Sequence, residues 1–282
     1  MVPSKDLETL IPQLRETLLS FDEVSFAVLF GSAVQGRLRD DSDLDIAVYV
    51  DAGGALEIEV EREVPSEAEV QVALERATGR NVDLLVLNRA PATVCSAALL
   101  TGRSVVNRTE QLYARYFLAV TSVAIDFLAT EREFREIASR STSLTEIDRR
   151  RLERIIEYLD EEMSDRSKFE AVSLSRYRND RDLRRNLDRW VEMLINAAID
   201  IGKIVLSSEH KSVPRTYGQI LEDLECTPPF DELHGRLKPL APLRNMMAHE
   251  YLDLRFKRVQ TFVTEGADAV ADLARVTRAW ME

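Results

Sequence analysis

The chain has 282 residues, of which 45% are hydrophobic, 30% charged and 7% aromatic. This is the composition of a folded globular protein, and the length suits two domains of ordinary size. The net charge of −12 argues against a surface coated in basic charge for nucleic acid. The charge is uneven: residues 1–140 hold 14 basic against 23 acidic residues (−9), and residues 141–282 hold 23 against 26 (−3). A local basic surface is therefore expected only in the second half.

Segments for membrane insertion or export are not expected. No uninterrupted apolar run approaches the roughly 18 to 20 residues that span a bilayer, and the N-terminal MVPSKDLETL is already charged at Lys5. Cys95 and Cys226 lie far apart and neither belongs to a CxxC pair. We therefore expect neither a disulfide framework nor a thiolate zinc site, and a reducing cytoplasm fits this chain.

The first hundred residues alternate between helix and strand patterns. An amphipathic stretch precedes four runs that predict strands, the last of them short: 25–30, 43–50, 81–87 and 104–106. Ser66 and Glu69 have the spacing of a capping box before a helix that ends near Gly79. These patterns predict an α/β (α+β) domain with a small mixed sheet.

The second half is predicted to be all-α. From Glu110 onward the apolar residues recur at helical spacing, first in a connecting helix over 110–139 and most clearly over 183–206. The small polar residues Ser141 to Thr145 carry a cap signal before Glu146, and they suggest a domain boundary near residue 140. The predicted domains are 1–140 and 141–282, the second of them a helical bundle.

One candidate site combines Gly31-Ser32, ten further residues, and Asp43-Leu44-Asp45. In a strand, residues two apart share a face, so Asp43 and Asp45 are expected to project together while Leu44 enters the core. Two like charges on one face favour a divalent cation such as Mg²⁺ between them, and Asp83 on a neighbouring strand could supply a third carboxylate. Gly31 and Ser32 could bring backbone N–H groups close to a phosphate.

This pattern resembles the nucleotidyltransferase superfamily of DNA polymerase β type, and in its GS-x10-DxD spacing the minimal nucleotidyltransferases of the MntA antitoxin type. The resemblance covers roughly residues 10–110 and implies ATP and Mg²⁺ as cofactors. Asp43, Asp45 and Asp83 match its metal-binding and catalytic carboxylates, and Gly31 and Ser32 match its nucleotide-binding turn. The chain departs from the common GSxARG turn in reading GSAVQG, with Gln35 where arginine is usual.

A second candidate site is the segment RNMMAHEY, residues 244–251. At about 100° per residue, Arg244 and His249 lie some 140° apart around a helix, so a site that uses both is expected to need a second chain. Histidine supplies an acid and base near neutral pH and arginine a bidentate cation for phosphate, a pair suited to metal-free RNA cleavage. His210 and His234 lie in polar connecting segments and are interpreted as surface residues.

RNMMAHEY resembles the R-x4-H-x-Y signature of HEPN-domain ribonuclease toxins of the HepT type, over roughly residues 145–260. The resemblance implies Arg244 and His249 as catalytic residues, RNA as the substrate, and a homodimer or higher homo-oligomer formed through this domain. In such toxin–antitoxin pairs the nucleotidyltransferase transfers AMP to the tyrosine of the motif, so Tyr251 is the implied acceptor. A cluster of arginines at 176, 178, 181, 184, 185 and 189 is a candidate phosphate track.

The leading hypothesis is thus a fused, self-modifying toxin–antitoxin protein. One alternative is an aminoglycoside-like nucleotidyltransferase whose helical domain only completes a small-molecule pocket; RNMMAHEY argues against it, because such a domain does not need that motif. Another is a binding module in which one or both sites have decayed, an option that Gln35 leaves open.

Overall fold

The computed structural model describes residues 5–36, 42–53, 56–140, 143–247 and 252–282. These residues divide into two compact units, Met1–Ile125 and Asp126–Glu282. The division falls inside one long helix, whereas the sequence pattern suggests a boundary near residue 140. Each unit is described on its own.

The first unit is built on a four-stranded mixed sheet. Its strands are β1 (Val24–Phe30), β2 (Leu44–Val50), β3 (Val82–Val86) and β4 (Arg103–Asn107), in the order β3-β2-β1-β4. β1 pairs antiparallel with β2 and β4, and β2 pairs parallel with β3. Its helices are α1 (Lys5–Leu19), α2 (Glu67–Thr78), α3 (Ala92–Thr101) and the start of α4 (Glu110–Arg140). The predicted small mixed sheet is therefore confirmed.

Burial explains why the strand patterns of this unit are so apolar. β1 and β2 lie in the middle of the sheet, and all but one residue of each is buried. Leu14 and Leu18 of α1 and Leu74 of α2 belong to the same core as Leu29 and Ile46 of the sheet. Strands covered on both faces tolerate polar residues only near their ends, and Asp45 is the polar residue of β2, one position from its start.

The capping box predicted for α2 does not form. Ser66 is the N-cap residue, but it has helical backbone angles and its side chain makes no cap hydrogen bond. Its hydroxyl instead donates to the carboxylate of Glu23, and this hydrogen bond is the main cause of the lowered pKa of Glu23. A tertiary partner has replaced the local one, which sequence spacing cannot reveal.

α4 is, within the part of the chain described, the one helix with the length and hydropathy of a membrane span. A third of its most apolar stretch is buried, and residues such as Tyr116, Val120 and Phe127 pack inside protein. Leu118, Ile125 and Leu128 are exposed, but length and hydropathy alone do not identify a membrane span, because core helices of globular proteins reach the same values.

The second unit consists of helices. Their bounds are α5 (Glu146–Met163), α6 (Arg166–Glu170), α7 (Leu174–Asn179), α8 (Arg181–Ser208), α9 (Tyr217–Glu225), α10 (Leu240–Met247), α11 (Leu252–Thr261) and α12 (Ala267–Met281). A 3₁₀ turn covers Phe230–Leu233 and a π-helical turn covers Phe262–Gly266. The predicted all-α second half is confirmed, as is the cap before Glu146, where Thr145 accepts a hydrogen bond from the backbone N–H of Asp148.

α8 forms the centre of this bundle. Trp190 and the apolar stripe that follows it are buried, as the helical spacing predicted. Lys203 is also buried in α8, and its ammonium contacts Glu133 of α4 at 2.6 Å and Asp200 at 2.5 Å. A buried lysine requires such partners, because an unpaired charge in the interior is costly.

Candidate functional sites

The carboxylate site lies at one end of the sheet, where β1 ends and β2 and β3 begin. Asp45, the second residue of β2, is opposite Phe30 of β1 and opposite Asp83 of β3 in the strand register. Leu44 and Ile46 on either side are fully buried, which directs Asp45 away from the core. Asp83 is exposed, and Asp43 precedes the first residue of β2 and is exposed too. All three carboxylates predicted from the sequence therefore lie at this end of the sheet.

The turn after β1 is shaped around Asp45. Gly31 has φ +70°, and a Cβ built on it would lie 2.0 Å from Oδ2 of Asp45 and 2.7 Å from its Cγ. The side chain of Asp45 thus fills the space that any larger residue at position 31 would need. The backbone N–H of Ser32 donates a hydrogen bond to this carboxylate. Gly31 and Ser32 hold Asp45 in place, a role beyond the phosphate approach that the sequence suggested.

The site has an excess of negative charge. Burial raises the pKa of Asp45, the charge of Asp83 raises it further, the Ser32 hydrogen bond opposes the rise, and Asp43 adds to it. A bound cation would relieve this repulsion.

Mg²⁺ fits the donor set, since it prefers carboxylate oxygens and is usually held by one or two of them together with water and phosphate. The described residues include no group of three His, Cys, Asp or Glu side chains placed to hold one ion.

Arg244 is the described member of the second motif. It lies on α10 with a side chain only 16% exposed, and its guanidinium carbon is 4.0 Å from the centre of the Tyr217 ring. Its Nε donates to Oδ1 of Asn196 at 3.2 Å, and its Nη2 donates to Oδ2 of Asp126 at 2.8 Å. His249 and Tyr251 lie outside the described residues.

The sequence did not identify the three residues that surround Arg244. Asn196 and Tyr217 follow ordinary helical patterns, so they give no signal of their own. Asp126 stands out only as the one acidic residue between Ala114 and Ala129, and because its side chain is 62% exposed, this isolation does not by itself predict a partner.

Part of the predicted arginine cluster forms a row on α8. Arg181, Arg185 and Arg189 follow one another at intervals of four residues, are exposed, and so share a face of the helix. Arg189 pairs with Glu192. Arg184 differs, because it donates to the backbone carbonyl oxygens of Tyr177 and Arg178.

The sites lie within two family matches. Residues 12–111 match the family described as polymerase beta, nucleotidyltransferase, and residues 146–277 match the ribonuclease HepT-like family. The first range contains Gly31 and all three carboxylates, and the second contains Arg244, His249 and Tyr251. The chain therefore joins a nucleotidyltransferase domain to a HepT-like HEPN domain, as the two motifs indicated.

Solved toxin–antitoxin structures resemble part of the chain. One, crystallised with AMP-PNP, is 21% identical with a TM-score of 0.38 and covers 45% of this chain and 95% of its own. An MntA-HepT complex is 18% identical with a TM-score of 0.36, covering 46% and 96%. The tri-AMPylated Shewanella oneidensis HEPN toxin in complex with MNT antitoxin is 19% identical with a TM-score of 0.34, covering 48% and 97%. Among curated proteins, none matches significantly.

Proposed function

We propose that this chain is a self-silencing ribonuclease, in which the nucleotidyltransferase domain transfers AMP from ATP to Tyr251 of the HEPN domain. The observation that carries the proposal is that each motif lies inside the family match to which it corresponds. The transfer forms a bond between the phenol oxygen and the α-phosphorus and breaks the bond from that phosphorus to the β-bridging oxygen. Pyrophosphate leaves, and the phenol proton passes to a base.

The carboxylate site supports nucleotide transfer. Asp43, Asp45 and Asp83 are the carboxylates that would hold Mg²⁺, one or two to an ion with water and the triphosphate completing the ligands, because no three of the described carboxylates are placed around a single ion; the metal would supply charge neutralisation at the triphosphate. A tyrosine with a pKa near 10 is a poor nucleophile at neutral pH and needs a base, and Asp83 is our candidate because it is exposed on β3 beside Asp45. Gly31 and Ser32 fix the position of Asp45 and border the expected phosphate site.

The ribonuclease is proposed to work without a metal. His249 would move protons to and from the 2′-hydroxyl and the leaving oxygen, while the Arg244 guanidinium stabilises the charge that develops on the phosphate. Arg244 is well suited to this role, because Tyr217 and Asn196 restrict its orientation. AMP on Tyr251 would place a bulky anion beside the bound RNA phosphate and oppose it by exclusion and by charge.

The arginine row on α8 is proposed to track the RNA backbone. Asn196, which holds Arg244, lies seven residues after Arg189 and shares its face of α8, about 10 Å further along the helix axis. Arg185 and Arg181 extend the row by about 6 Å each.

The double variant Arg181→Glu, Arg185→Glu tests this row. It should weaken RNA binding, and the slope of log K against log salt concentration should become shallower by about 0.7 for each phosphate contact that is lost. The matched control is the double variant Arg150→Glu, Arg154→Glu. It makes the same change in net charge at two exposed positions of α5, away from the row.

The deciding experiment is the intact mass of the purified chain before and after incubation with ATP and Mg²⁺, with Tyr251→Phe as the matched control. We expect mass increases in steps of AMP for the parent and none for the variant, with loss of RNA cleavage as the parent is modified. AMP found on other residues only, or modified protein that cuts RNA as fast as unmodified protein, would contradict the proposal. Transfer of AMP to an added aminoglycoside instead would favour a small-molecule enzyme.

Assembly is part of the same proposal. The five-residue spacing of Arg244 and His249 would place them some 140° apart if both lay on one helix, and on that spacing we propose that the active ribonuclease is a homodimer formed by the HEPN domain. Light scattering measures the mass in solution, and cleavage per chain should fall on dilution below the dissociation constant. A strictly monomeric chain with full cleavage activity would contradict it.

A further inference from the structure

The guanidinium of Arg244 is enclosed on two sides by residues of its own domain. The Tyr217 ring, which is 2% exposed, forms the floor at 4.0 Å. Asn196 on α8 accepts a hydrogen bond from Nε. These two contacts orient the guanidinium without adding a charge.

Asp126 covers the same group from the solvent side. Its carboxylate accepts a hydrogen bond from Nη2 at 2.8 Å, and its side chain is 62% exposed while that of Arg244 is 16% exposed. An anion that is to bind Nη2 of Arg244 must therefore displace the Asp126 carboxylate. Asp126 belongs to α4 and lies outside both family matches, which end at residue 111 and resume at residue 146.

We propose that Asp126 is a displaceable cap on Arg244, and that an RNA phosphate binds the guanidinium by taking the place of this carboxylate. The inference rests on the proposed ribonuclease function. A carboxylate and a phosphate both accept N–H bonds at the same edge of a guanidinium, so the two compete. An ion pair with an exposed partner is weak, which makes the cap removable by RNA.

The size of the effect follows from the exposure of the pair. Asp126→Asn retains an oxygen that can accept from Nη2 but removes the charge, and Asp126→Ala removes both. Exposed ion pairs are worth little, so either variant should lower the dissociation constant for RNA by about 1.5- to fivefold. The KM for cleavage should fall by a similar factor with kcat preserved, because the cap opposes binding and takes no part in the chemistry.

The experiment measures binding of a fluorescent single-stranded RNA oligonucleotide to the full chain carrying His249→Ala, which prevents cleavage during the titration. The same background is combined with Asp126→Asn, Asp126→Ala or Arg244→Ala. Glu136→Gln is the matched control: it removes one negative charge from an exposed position of the same helix, about 15 Å along its axis. Steady-state cleavage is then compared with His249 restored.

The cap is supported if both Asp126 variants bind RNA more tightly than the Glu136→Gln control. It is overturned if they bind no more tightly, or if kcat falls and falls further in Asp126→Ala than in Asp126→Asn, which is the pattern of a positioning residue. If Arg244→Ala weakens binding in the same series, the proposed function stands even when the cap fails. If Arg244→Ala has no effect and the parent cuts no RNA, both proposals fail.

Discussion

Replacing Gly31 with alanine tests the geometry of the carboxylate site most directly. The new Cβ would lie 2.0 Å from Oδ2 of Asp45, 2.7 Å from its Cγ and 3.1 Å from its Cβ. Carbon and oxygen atoms need about 3.5 Å, so the carboxylate oxygen has to move by about 1.5 Å. Because Cγ and Cβ of Asp45 are crowded as well as Oδ2, a rotation about the Cβ–Cγ bond does not remove the clash.

Two costs are expected, and they can be separated. An alanine at φ +70° costs about 1–2 kcal/mol of folding free energy, which corresponds to a decrease in Tm of roughly 3–8 °C for a domain of this size. Displacement of a metal-binding carboxylate by more than 1 Å should reduce the rate of AMP transfer by about 100-fold. The first cost concerns the backbone of residue 31, and the second concerns Asp45.

Gly79→Ala is the matched control. Gly79 has φ +66° at the end of α2, and a Cβ there meets no atom within 4 Å. It should lose a similar amount of stability and transfer AMP at the parent rate. The assay is the rate of AMP addition by intact mass with ATP and Mg²⁺, alongside thermal unfolding of each variant. If Gly31→Ala transfers within twofold of the parent, or if Gly79→Ala is slowed equally, the assignment of Asp45 to the active site is refuted.

Three further predictions concern single side chains. Asp45→Asn should abolish AMP transfer while the apo protein becomes slightly more stable, because the variant removes a repelled charge; transfer at the parent rate, or unfolding seen by circular dichroism, would contradict this. RNA cleavage should persist in EDTA and vanish in His249→Ala, so cleavage that is lost with chelator points to another nuclease. Glu133→Gln should lower the free energy of unfolding at pH 7 by about 1–2 kcal/mol, since it removes the negative charge and one of the two oxygens that accept from Lys203 and Arg151. Burial raises the pKa of Glu133, but Lys203 and Arg151 outweigh burial and lower this pKa overall. The stabilisation is therefore fully present above the unfolded-state pKa and is lost as the pH falls through the folded-state pKa. A stability difference between variant and parent that does not shrink in acid would refute the prediction.

The sequence predicted those features that depend on local pattern. Four strands and the long helix α8 were located to within a few residues, because buried strands and amphipathic helices leave a clear periodicity. The nearness of Asp45 and Asp83 was also anticipated, since both lie on strands expected to be neighbours. The Ser66 cap failed because its hydroxyl has a partner in Glu23, more than forty residues earlier in the chain.

The surroundings of Arg244 show the same limit at a candidate site. Asp126, Asn196 and Tyr217 come from three helices that are separated by long stretches of sequence, and no local spacing connects them. Gly31 is an intermediate case. The sequence indicates that glycine after β1 allows a phosphate to approach the backbone. Only the structure shows that the Asp45 side chain occupies the position that a Cβ at residue 31 would need.

The two sites differ in how their charges are balanced, and this difference bears on how each would bind its ligand. At the carboxylate site, burial raises the pKa of Asp45 and the charges of Asp83 and Asp43 raise it further, so a cation that binds there removes a repulsion already present. At Arg244 the positive charge is already neutralised by Asp126, so an anion that binds there must first replace a partner. Nucleotide loading with Mg²⁺ should therefore stabilise the first domain, whereas part of what an RNA phosphate gains at Arg244 is offset by the loss of the Asp126 ion pair. Under the proposed function, the row of arginines on α8 would compensate for this cost: an RNA backbone held at Arg181 and Arg185 would raise the local phosphate concentration near Arg244 and so favour displacement of the weak Asp126 ion pair.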